Sequence, residues 1–550
     1  MTATGNSAEP LFVNVNVSTA PEAMGALCSC LSVEDHEDDT KIDDIDEKST
    51  AKNIKRSPLD EEFAKFVKDT LEQWHIEGVS IAVIDGDKTF SEGYGIAALP
   101  DVPVRPDTLF YTGSTSKSFT AAAVSLLVDD TETYPNITWT TPLSDLIRDD
   151  FVLQDEYATR HVTIEDALSH RTGLPGHMLT LGREGTVRDV VRSLRHLPMD
   201  KEIRTTWQYS NAMFITVSHA IEVTTGEWLG DFLRKRIWEP LDMKSTFFSL
   251  DDARQYAASG EAVLAQPYSW DEAAQESREV PHCEGTLSGA GAVISNVLDY
   301  AKYIRSMIRQ TGPLSKAGHA ALLKPRSFTP QMIPHLSKQT LYTLGLMTST
   351  YRGETVVFHP GGLDGMTATM IYFPERDWGV AVFANAAGPG RETLAWHLID
   401  DMMNVPKSER IDLYTLVRDK RAKIKDHLSK SLERLYPGVP SPRRPLSLPL
   451  AEYTGTFTHP AYPDLIVSLS AEDEPSLHLQ ITGSFHARLK LKHVTGEYFL
   501  AELFETLWGV DPATVIRAEF HVSAEDKVDR FGAAVDYADM PDTLIWFDKI

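Results

Sequence analysis

Apolar side chains recur at helical spacing between Phe63 and Trp74, where the patterned part of the chain begins. This spacing puts them on one face and predicts an amphipathic helix. Two strand-like runs follow at 79–84 and 89–97, separated by Asp85-Gly86-Asp87-Lys88. Because Asp-Gly tolerates positive φ, this junction is typical of a tight turn, and the two runs predict a β-hairpin.

The middle of the chain is rich in predicted helices and then returns to strands. The run Thr163-Ile164-Glu165-Asp166 has the form of a capping box, which marks the start of a helix. Strand-like runs recur at 356–358, 367–373 and 378–384. Together these elements predict an α+β fold, an antiparallel sheet flanked by helices with a helical subdomain.

The last third of the chain has a different pattern. Residues 391–436 are predicted to be helical and are heavily charged, whereas the proline-rich run 437–449 cannot continue a helix. Short strand-like segments then recur at regular intervals, which predicts a small all-β domain, a sandwich or a barrel. These segments are 453–458, 465–469, 477–481, 489–491, 498–503 and 544–547.

These changes divide the chain into four predicted parts. They are an acidic N-terminal arm (1–57), a main α+β domain (58–405), a helical and proline-rich linker (406–447) and a C-terminal β domain (448–550). Residues 34–47 hold nine acids and one base. Such a run cannot offset its ordering entropy by burying apolar surface, so the arm is predicted to be disordered.

Composition narrows the range of functions. The chain has 53 basic and 79 acidic residues and a formal charge of −26, which repels a phosphate backbone and argues against nucleic-acid binding. Its apolar runs are shorter than the roughly 20 residues of a membrane span, and no signal peptide is evident at its start. Three cysteines offer no disulfide framework and favour a reducing, cytoplasmic compartment. Without a metal-spaced cluster or a dinucleotide fingerprint, we expect no metal and no cofactor.

Ser114 and Lys117 form the strongest local chemical signal, just before a helix-compatible segment. If the helix begins near Ser114, Lys117 lies one turn on and its amine can approach the hydroxyl. A nearby amine activates a serine as a nucleophile, whereas the alternative interpretation is an ordinary helix N-cap. A second S-x-x-K, from Ser49 to Lys52, lies in the acidic arm without a predicted strand or helix to hold it. Ser114 is therefore the preferred candidate.

Tyr209 and Asn211 offer a phenol and an amide two residues apart. A lysine ammonium beside the tyrosine would favour its phenolate and make it a general base, and an amide can hold a substrate carbonyl. Packing in the core is the alternative role of Tyr209. A rival run, Tyr134-Pro135-Asn136, follows Lys117 by only 17 residues in a proline-containing loop, which fits the same site less well.

A third candidate element follows the strand predicted at 354–358 and contains His359, Gly361 and Gly362. Glycines at a strand edge allow a substrate to approach the backbone, where N–H groups can stabilise an oxyanion. His359 could hydrogen-bond the hydroxyls of the site, with a structural histidine as the alternative. The run Lys316-Ala317-Gly318 is a rival, but no predicted strand precedes it.

In this order, S-x-x-K, Y-x-N and H-x-G resemble the motifs of the serine β-lactamase and penicillin-binding-protein superfamily. The resemblance is to the class C β-lactamase-like branch, which includes family VIII esterases, D-stereospecific aminopeptidases and the lovastatin acyltransferase. It covers about residues 58–390 and includes the stretches 162–175, 237–243 and 288–295. The C-terminal β domain resembles the lipocalin-like appendages of some members.

The resemblance implies a role for each motif residue. Ser114 would attack an ester or amide carbonyl and become acylated, and Lys117 and Tyr209 would shuttle its proton. Asn211 would contact the acyl chain, and the N–H groups of Ser114 and Gly362 would form the oxyanion hole. His359 would replace the lysine of K-T-G, which removes a cation that binds the β-lactam carboxylate and favours the esterase and peptidase members.

The leading hypothesis is therefore a serine hydrolase that cleaves an ester, lactone or amide bond of a small molecule through an acyl-enzyme. An acyltransferase using the same intermediate is the first alternative, because the two differ only in how water is excluded and the acceptor held. A catalytically silent scaffold that keeps the fold for binding is the second.

Overall fold

The computed structural model describes residues 56–331, 333, 336–470, 476–481, 487–504 and 512–550. Almost all of the predicted arm, with its acidic run, Cys28 and Cys30, lies outside the described residues. No described helix has both the length and the apolar character to cross a membrane.

Thirteen described strands precede Asn385, and nine of them form one antiparallel sheet in the order β3-β2-β1-β13-β12-β11-β10-β9-β8. The pairs β4–β7 and β5–β6 form two small sheets. The strands are β1 (Gly78–Asp85), β2 (Lys88–Ala98), β3 (Val102–Pro103), β4 (Phe110–Tyr111), β5 (Tyr268–Asp271), β6 (Glu276–Glu279), β7 (Ile294–Ser295), β8 (Ser327–Thr329), β9 (Thr340–Tyr342), β10 (Met347–Tyr351), β11 (Glu354–Leu363), β12 (Met366–Phe373) and β13 (Trp378–Ala384).

Helices cover both faces of this sheet. Successive β1 side chains point to opposite faces, so Val79, Ile81 and Val83 join one apolar cluster with α1 and α12, while Ala82 and Ile84 join another with α2 and α10. The helices are α1 (Glu61–Trp74), α2 (Ser116–Asp129), α3 (Leu143–Ile147), α4 (Glu156–His161), α5 (Ile164–Leu168), α6 (Val187–Ser193), α7 (Asn211–Thr225), α8 (Leu229–Leu233), α9 (Leu250–Ala258), α10 (Val297–Arg309), α11 (Lys316–Leu323), α12 (Gly390–Met402), α13 (Leu413–Ser429) and α14 (Ser431–Leu435). The predicted α+β class is confirmed.

The short-range predictions at the start of the domain are confirmed. The side chain of Asp60 caps α1 by accepting a hydrogen bond from the Phe63 N–H. The β1–β2 hairpin closes at the pair Asp85↔Lys88, and Gly86 takes a φ of +60° in the turn. The capping box of α5 is present, with Thr163 and Asp166 satisfying each other's backbone N–H groups.

The third motif lies inside a strand, which corrects the prediction that the strand ends at Phe358. β11 continues to Leu363 because its last residues pair with β12, with Gly361 opposite Ala368. On its other side the pairing with β10 stops at Phe358. The end of β11 therefore has one strand edge that β10 does not occupy.

The predicted C-terminal β domain contains an eight-stranded closed barrel within the described residues. The sequence pattern missed two of its strands, β19 and β20. The charged helices predicted within 391–436 are present as α12, α13 and α14. The barrel strands are β14 (Gly455–Thr458), β15 (Leu465–Leu469), β16 (Leu477–Ile481), β17 (Ala487–Thr495), β18 (Tyr498–Phe504), β19 (Thr514–Val522), β20 (Val528–Ala533) and β21 (Ile545–Lys549).

Candidate active site

Ser114 lies on a single 3₁₀ turn, Gly113–Thr115, that leads into α2. The helix itself begins at Ser116, two residues later than predicted. Gly113 has a φ of +51°, and a Cβ there would lie 2.6 Å from the backbone N of Gly362. Only glycine meets both requirements, so this turn can pack directly against the end of β11.

Lys117 lies one turn beyond Ser114 and is fully buried. Its Nζ is 3.0 Å from Ser114 Oγ, 2.6 Å from Asn211 Oδ1 and 2.7 Å from the Ala290 carbonyl oxygen. Burial holds the pKa of the amine well below its usual value, which favours the neutral form. Asn211 and Ala290 present acceptors only, so the two N–H groups of a neutral amine bind them and its lone pair faces the Ser114 hydroxyl.

Tyr209 lies against the side chains of Lys117 and Ser114. Its ring centroid is 4.8 Å from Lys117 Nζ, and its hydroxyl is hydrogen-bonded to Ser114. Burial raises the Tyr209 pKa, and the hydrogen bond with Ser114 opposes this only in part. This rise in pKa is opposite to the shift expected from a lysine ammonium, because burial is the largest contribution. This direction favours the phenol over the phenolate in the resting site, and the role of Tyr209 as a general base stays a prediction.

Asn211 opens α7 and faces the site, but its contacts differ from those expected. Its amide oxygen accepts the hydrogen bond from Lys117, and its Nδ2 lies 3.3 Å from the sulfur of Met178. In this structure Asn211 orients the lysine amine and holds the turn that carries Met178. A contact with the acyl chain stays a prediction.

His359 points into the same region but is held by Tyr342, a residue that the motifs did not indicate. The Ser210 N–H donates to His170 Nδ1 at 3.0 Å, so the His170 proton is on Nε2, 3.1 Å from the Tyr342 hydroxyl. Tyr342 then donates to His359 Nε2 at 3.0 Å, leaving the His359 proton on Nδ1, next to the Pro360 carbonyl. One backbone N–H thus sets the direction of the whole chain of hydrogen bonds.

His359 is neutral in this arrangement. Burial is the largest of the causes that lower its pKa to about 3. Burial also lowers the pKa of His170. His359 accepts a hydrogen bond from the Tyr342 hydroxyl, and its neutral ring does not supply a cation. A hydrogen bond between His359 and the hydroxyls of Ser114 or Tyr209 stays a prediction.

Gly361 and Gly362 bring the end of β11 onto the backbone of the Ser114 turn. A Cβ at Gly361 would lie 2.0 Å from the Thr112 carbonyl oxygen and 3.1 Å from the Ser114 N, so this position admits only glycine. The backbone N atoms of Ser114 and Gly362 both border this contact. Two N–H groups beside a nucleophile are the arrangement that stabilises an oxyanion.

The C-terminal barrel reaches the rim of this site. The N–H of Gly176 donates to Asp539 at 3.0 Å, and the N–H of His177 donates to Asp536 at 3.2 Å. A Cβ at Gly176 would lie 3.0 Å from the Tyr209 carbonyl oxygen, so this loop touches both the barrel and the site. The next residues form the turn Met178–Gly182, which contacts Asn211 through Met178.

The barrel contact predicts a pH-dependent stability. Burial raises the pKa of Asp536 to about 6, above its ordinary value of 3.8, so its ionisation opposes folding increasingly between about pH 4 and pH 6. An Asp536→Asn variant should therefore unfold at a higher temperature than wild type at pH 7.5, by a few degrees, and at about the same temperature at pH 4. Differential scanning fluorimetry at both pH values measures the difference.

Asp542→Asn is the matched control for this variant, because the Asp542 side chain is 87% exposed in the same segment. It should change neither melting temperature. A lower melting temperature of Asp536→Asn at pH 7.5, or an equal gain at both pH values, would contradict the role of ionisation.

Both the main domain and the C-terminal β domain are similar in sequence to known families. Residues 63–402 match the family described as Beta-lactamase, and residues 440–549 match a domain of unknown function, DUF3471. Unguisins hydrolase ungD' of Aspergillus campestris (strain IBT 28561) is 40% identical over 502 residues, 90% of this chain and 92% of that protein. Unguisins hydrolase ungD of Aspergillus violaceofuscus (strain CBS 115571) is 38% identical, covering 85% and 86%. The octameric penicillin-binding protein homologue from Pyrococcus abyssi has a TM-score of 0.57 at 18% identity, covering 89% of this chain and 99% of that chain.

The chain belongs to the β-lactamase family, because the family match spans more than half of it and a relative at 40% identity covers nearly all of it. The solved structure supports the fold alone. The predicted superfamily is confirmed, and so is the prediction of a serine hydrolase for ester or amide bonds.

Proposed function

We propose that the protein hydrolyses an amide or ester bond of a small molecule through an acyl-enzyme on Ser114. The observation that carries this proposal is the set of three contacts around Lys117 Nζ. Two of them occupy the N–H groups of a neutral amine, so the remaining lone pair is aimed at the Ser114 hydroxyl. A buried neutral lysine in this position is a general base for the serine.

In acylation, the Ser114 proton passes to Lys117 as Oγ forms a bond with the substrate carbonyl carbon. The negative charge that develops on the carbonyl oxygen is stabilised by the N–H groups of Ser114 and Gly362. The C–N or C–O bond then breaks. The leaving amine or alcohol takes a proton from the Tyr209 phenol, which Lys117 reprotonates, so atoms and charge balance.

In deacylation, a water molecule replaces the leaving group. Lys117 accepts its proton while the oxygen attacks the acyl carbon, and Ser114 Oγ leaves and takes that proton back from Lys117. The product is a carboxylic acid. A neutral His359 offers no charge to bind a substrate carboxylate, and this supports an uncharged amide or ester over a β-lactam acid.

The substrate that the comparisons support best is a compound of the unguisin type, which the two Aspergillus relatives are named for hydrolysing. We expect incubation of an unguisin with the protein to give products whose masses sum to the substrate plus one water. Liquid chromatography with mass spectrometry measures this directly. An unguisin that survives prolonged incubation, with an aryl ester hydrolysed in parallel, would contradict the substrate and leave the hydrolase function intact.

The acyltransferase alternative predicts a different response to an acyl acceptor. We expect hydrolysis of an acyl thioester to be unchanged by millimolar amines or alcohols. In the proposed mechanism water attacks the acyl-enzyme, and none of the described residues in it binds another acceptor. Product analysis with and without the acceptor distinguishes the two functions. An acylated acceptor forming at the expense of free acid would replace the hydrolase with a transferase.

The four-part division of the chain stays a prediction, with 58–405 as the catalytic domain, 406–447 as the linker and 448–550 as the β domain. The cytoplasmic location also stays a prediction of the cysteine content.

A further inference from the structure

Arg391 is a buried cation close to the third motif that the proposed mechanism does not use. It lies in the first turn of α12 and is only 4% exposed. Its Nη1 donates to the Gly361 carbonyl oxygen at 2.8 Å. Its Nε donates to Glu392 at 2.7 Å, which holds the guanidinium from the other side.

The carbonyl that Arg391 binds belongs to the same peptide group as the Gly362 N–H. In a trans peptide the C=O and the N–H point in opposite directions, so a guanidinium that fixes one also fixes the other. The strand ladder restrains this peptide from one side only, through the pairing of Gly361 with β12, because β10 has ended at Phe358 and does not restrain the other edge. The hydrogen bond from Arg391 adds a second restraint on the same carbonyl.

The register shows where the Gly362 N–H points. The β11–β12 hairpin closes at Leu363↔Met366 across a two-residue turn, and hydrogen-bonded pairs alternate along an antiparallel ladder from such a closing pair. Gly361, two residues back, therefore faces β12, and the N–H of Gly362 faces the free edge. The Gly362 N also lies at the Gly113 turn, as the 2.6 Å approach of a Cβ there requires.

Arg391 and Ser114 act on this peptide from different layers of the fold. The helix α12 packs with α1 on one face of the sheet, whereas the Ser114 turn leads into α2 on the other. The Arg391 side chain is almost fully buried, so its guanidinium is not open to a substrate from solvent. Its hydrogen bond also polarises the peptide, which strengthens the opposite N–H as a donor.

We propose that Arg391 is a positioning residue that orients the Gly361–Gly362 peptide so that the Gly362 N–H completes the oxyanion hole. This rests on the proposed function. The hydrogen bond from the Gly362 N–H to the substrate oxygen is stronger in the transition state than in the bound substrate. Loss of its correct orientation should therefore lower kcat and leave KM almost unchanged.

The test compares Arg391→Met and Arg391→Lys with wild type on p-nitrophenyl butyrate. Arg391→Met should lower kcat roughly 10- to 100-fold, somewhat less than the loss of an oxyanion-hole donor itself, with KM within about threefold. Arg391→Lys keeps a charge and one donor, and should recover part of the loss. Labelling by a fluorophosphonate, which forms a tetrahedral adduct, should slow in parallel. A folded Arg391→Met with kcat within twofold of wild type would overturn the proposal, as would a loss expressed mainly in KM.

Arg410→Met is the matched control, because Arg410 is also mostly buried and donates to a backbone carbonyl, that of Val405, beyond the far end of α12. It should keep wild-type kcat. If Arg391→Met does not fold, Glu392→Gln loosens the same guanidinium and should lower kcat in the same direction, and an unchanged kcat would again overturn the proposal. Turnover that survives in Ser114→Ala would instead remove the proposed function, so the two failures are distinguishable.

Discussion

A Ser114→Ala variant should lose turnover of every ester and amide substrate, with kcat lower by about 10⁴-fold or more. The reason is that, in the proposed mechanism, the Ser114 hydroxyl accepts the acyl chain while Lys117 and Tyr209 act on its proton. Fluorophosphonate labelling, followed by peptide mass spectrometry, should place the adduct on Ser114 in wild type and show none in the variant. Circular dichroism should remain that of wild type, because the side chain lies at a partly exposed position.

Ser125→Ala is the matched control for this change. Ser125 lies on α2, the helix that follows the Ser114 turn; it is 1% exposed, and its hydroxyl has no hydrogen-bond partner among the described residues. The control should keep wild-type activity and labelling. Hydrolysis that persists in folded Ser114→Ala would contradict the acyl-enzyme, and a wild-type protein that neither labels nor turns over any ester would support the silent scaffold.

The local signals of the sequence predicted elements well where the physics is local. The Asp85 to Lys88 turn, the Thr163 capping box and the apolar face that begins at Phe63 depend on neighbouring residues, so they can be read without the fold. The barrel strands at 514–522 and 528–533 were missed. The hydrophobic pattern does not indicate which strands these two segments pair with, because their pairing is set by closure of the barrel.

The candidate site divides in the same way. Ser114 and Lys117 are linked by helical spacing, so their contact follows from the sequence. The directions of the pKa shifts do not follow from the sequence, because burial of Lys117 and Tyr209 depends on the packing of α7 and β11 around them. Burial therefore raises the Tyr209 pKa, whereas the sequence suggested that a neighbouring ammonium would lower it.

Other parts of the site carry no sequence signal at all. Tyr342 and His170 are 172 residues apart, and their hydrogen bond exists only because β9 and the end of α5 meet behind the site. Arg391 lies 30 residues beyond Gly361 and reaches it across the sheet. Such residues contact the motifs from other layers, and only the folded chain identifies them.

Replacement of Lys117 should show whether the site uses a base or a cation. Lys117→Met removes both, and Lys117→Arg keeps the cation without a lone pair at neutral pH. We expect both variants to lose about 10²- to 10⁴-fold in the rate of Ser114 acylation by a fluorophosphonate, because the proton must be accepted by a neutral amine. Wild-type acylation should fall as the pH is lowered through the depressed pKa of Lys117, since protonation removes the lone pair. This acid limb should be absent from the Lys117→Met profile.

The Tyr209→Phe variant distinguishes the role of Tyr209 from that of Lys117, because the two substrates differ in whether their leaving group must be protonated. An aryl ester releases a stable phenolate, whereas an amide leaves only after it is protonated, so loss of a general acid costs more on the amide. Tyr209→Phe should therefore reduce amide hydrolysis much more than aryl-ester hydrolysis, while Lys117→Met reduces both alike. The exposed Lys244→Met should change neither rate. A Lys117→Arg enzyme with wild-type acylation would assign the base to Tyr209 after all, because a buried guanidinium cannot accept the Ser114 proton.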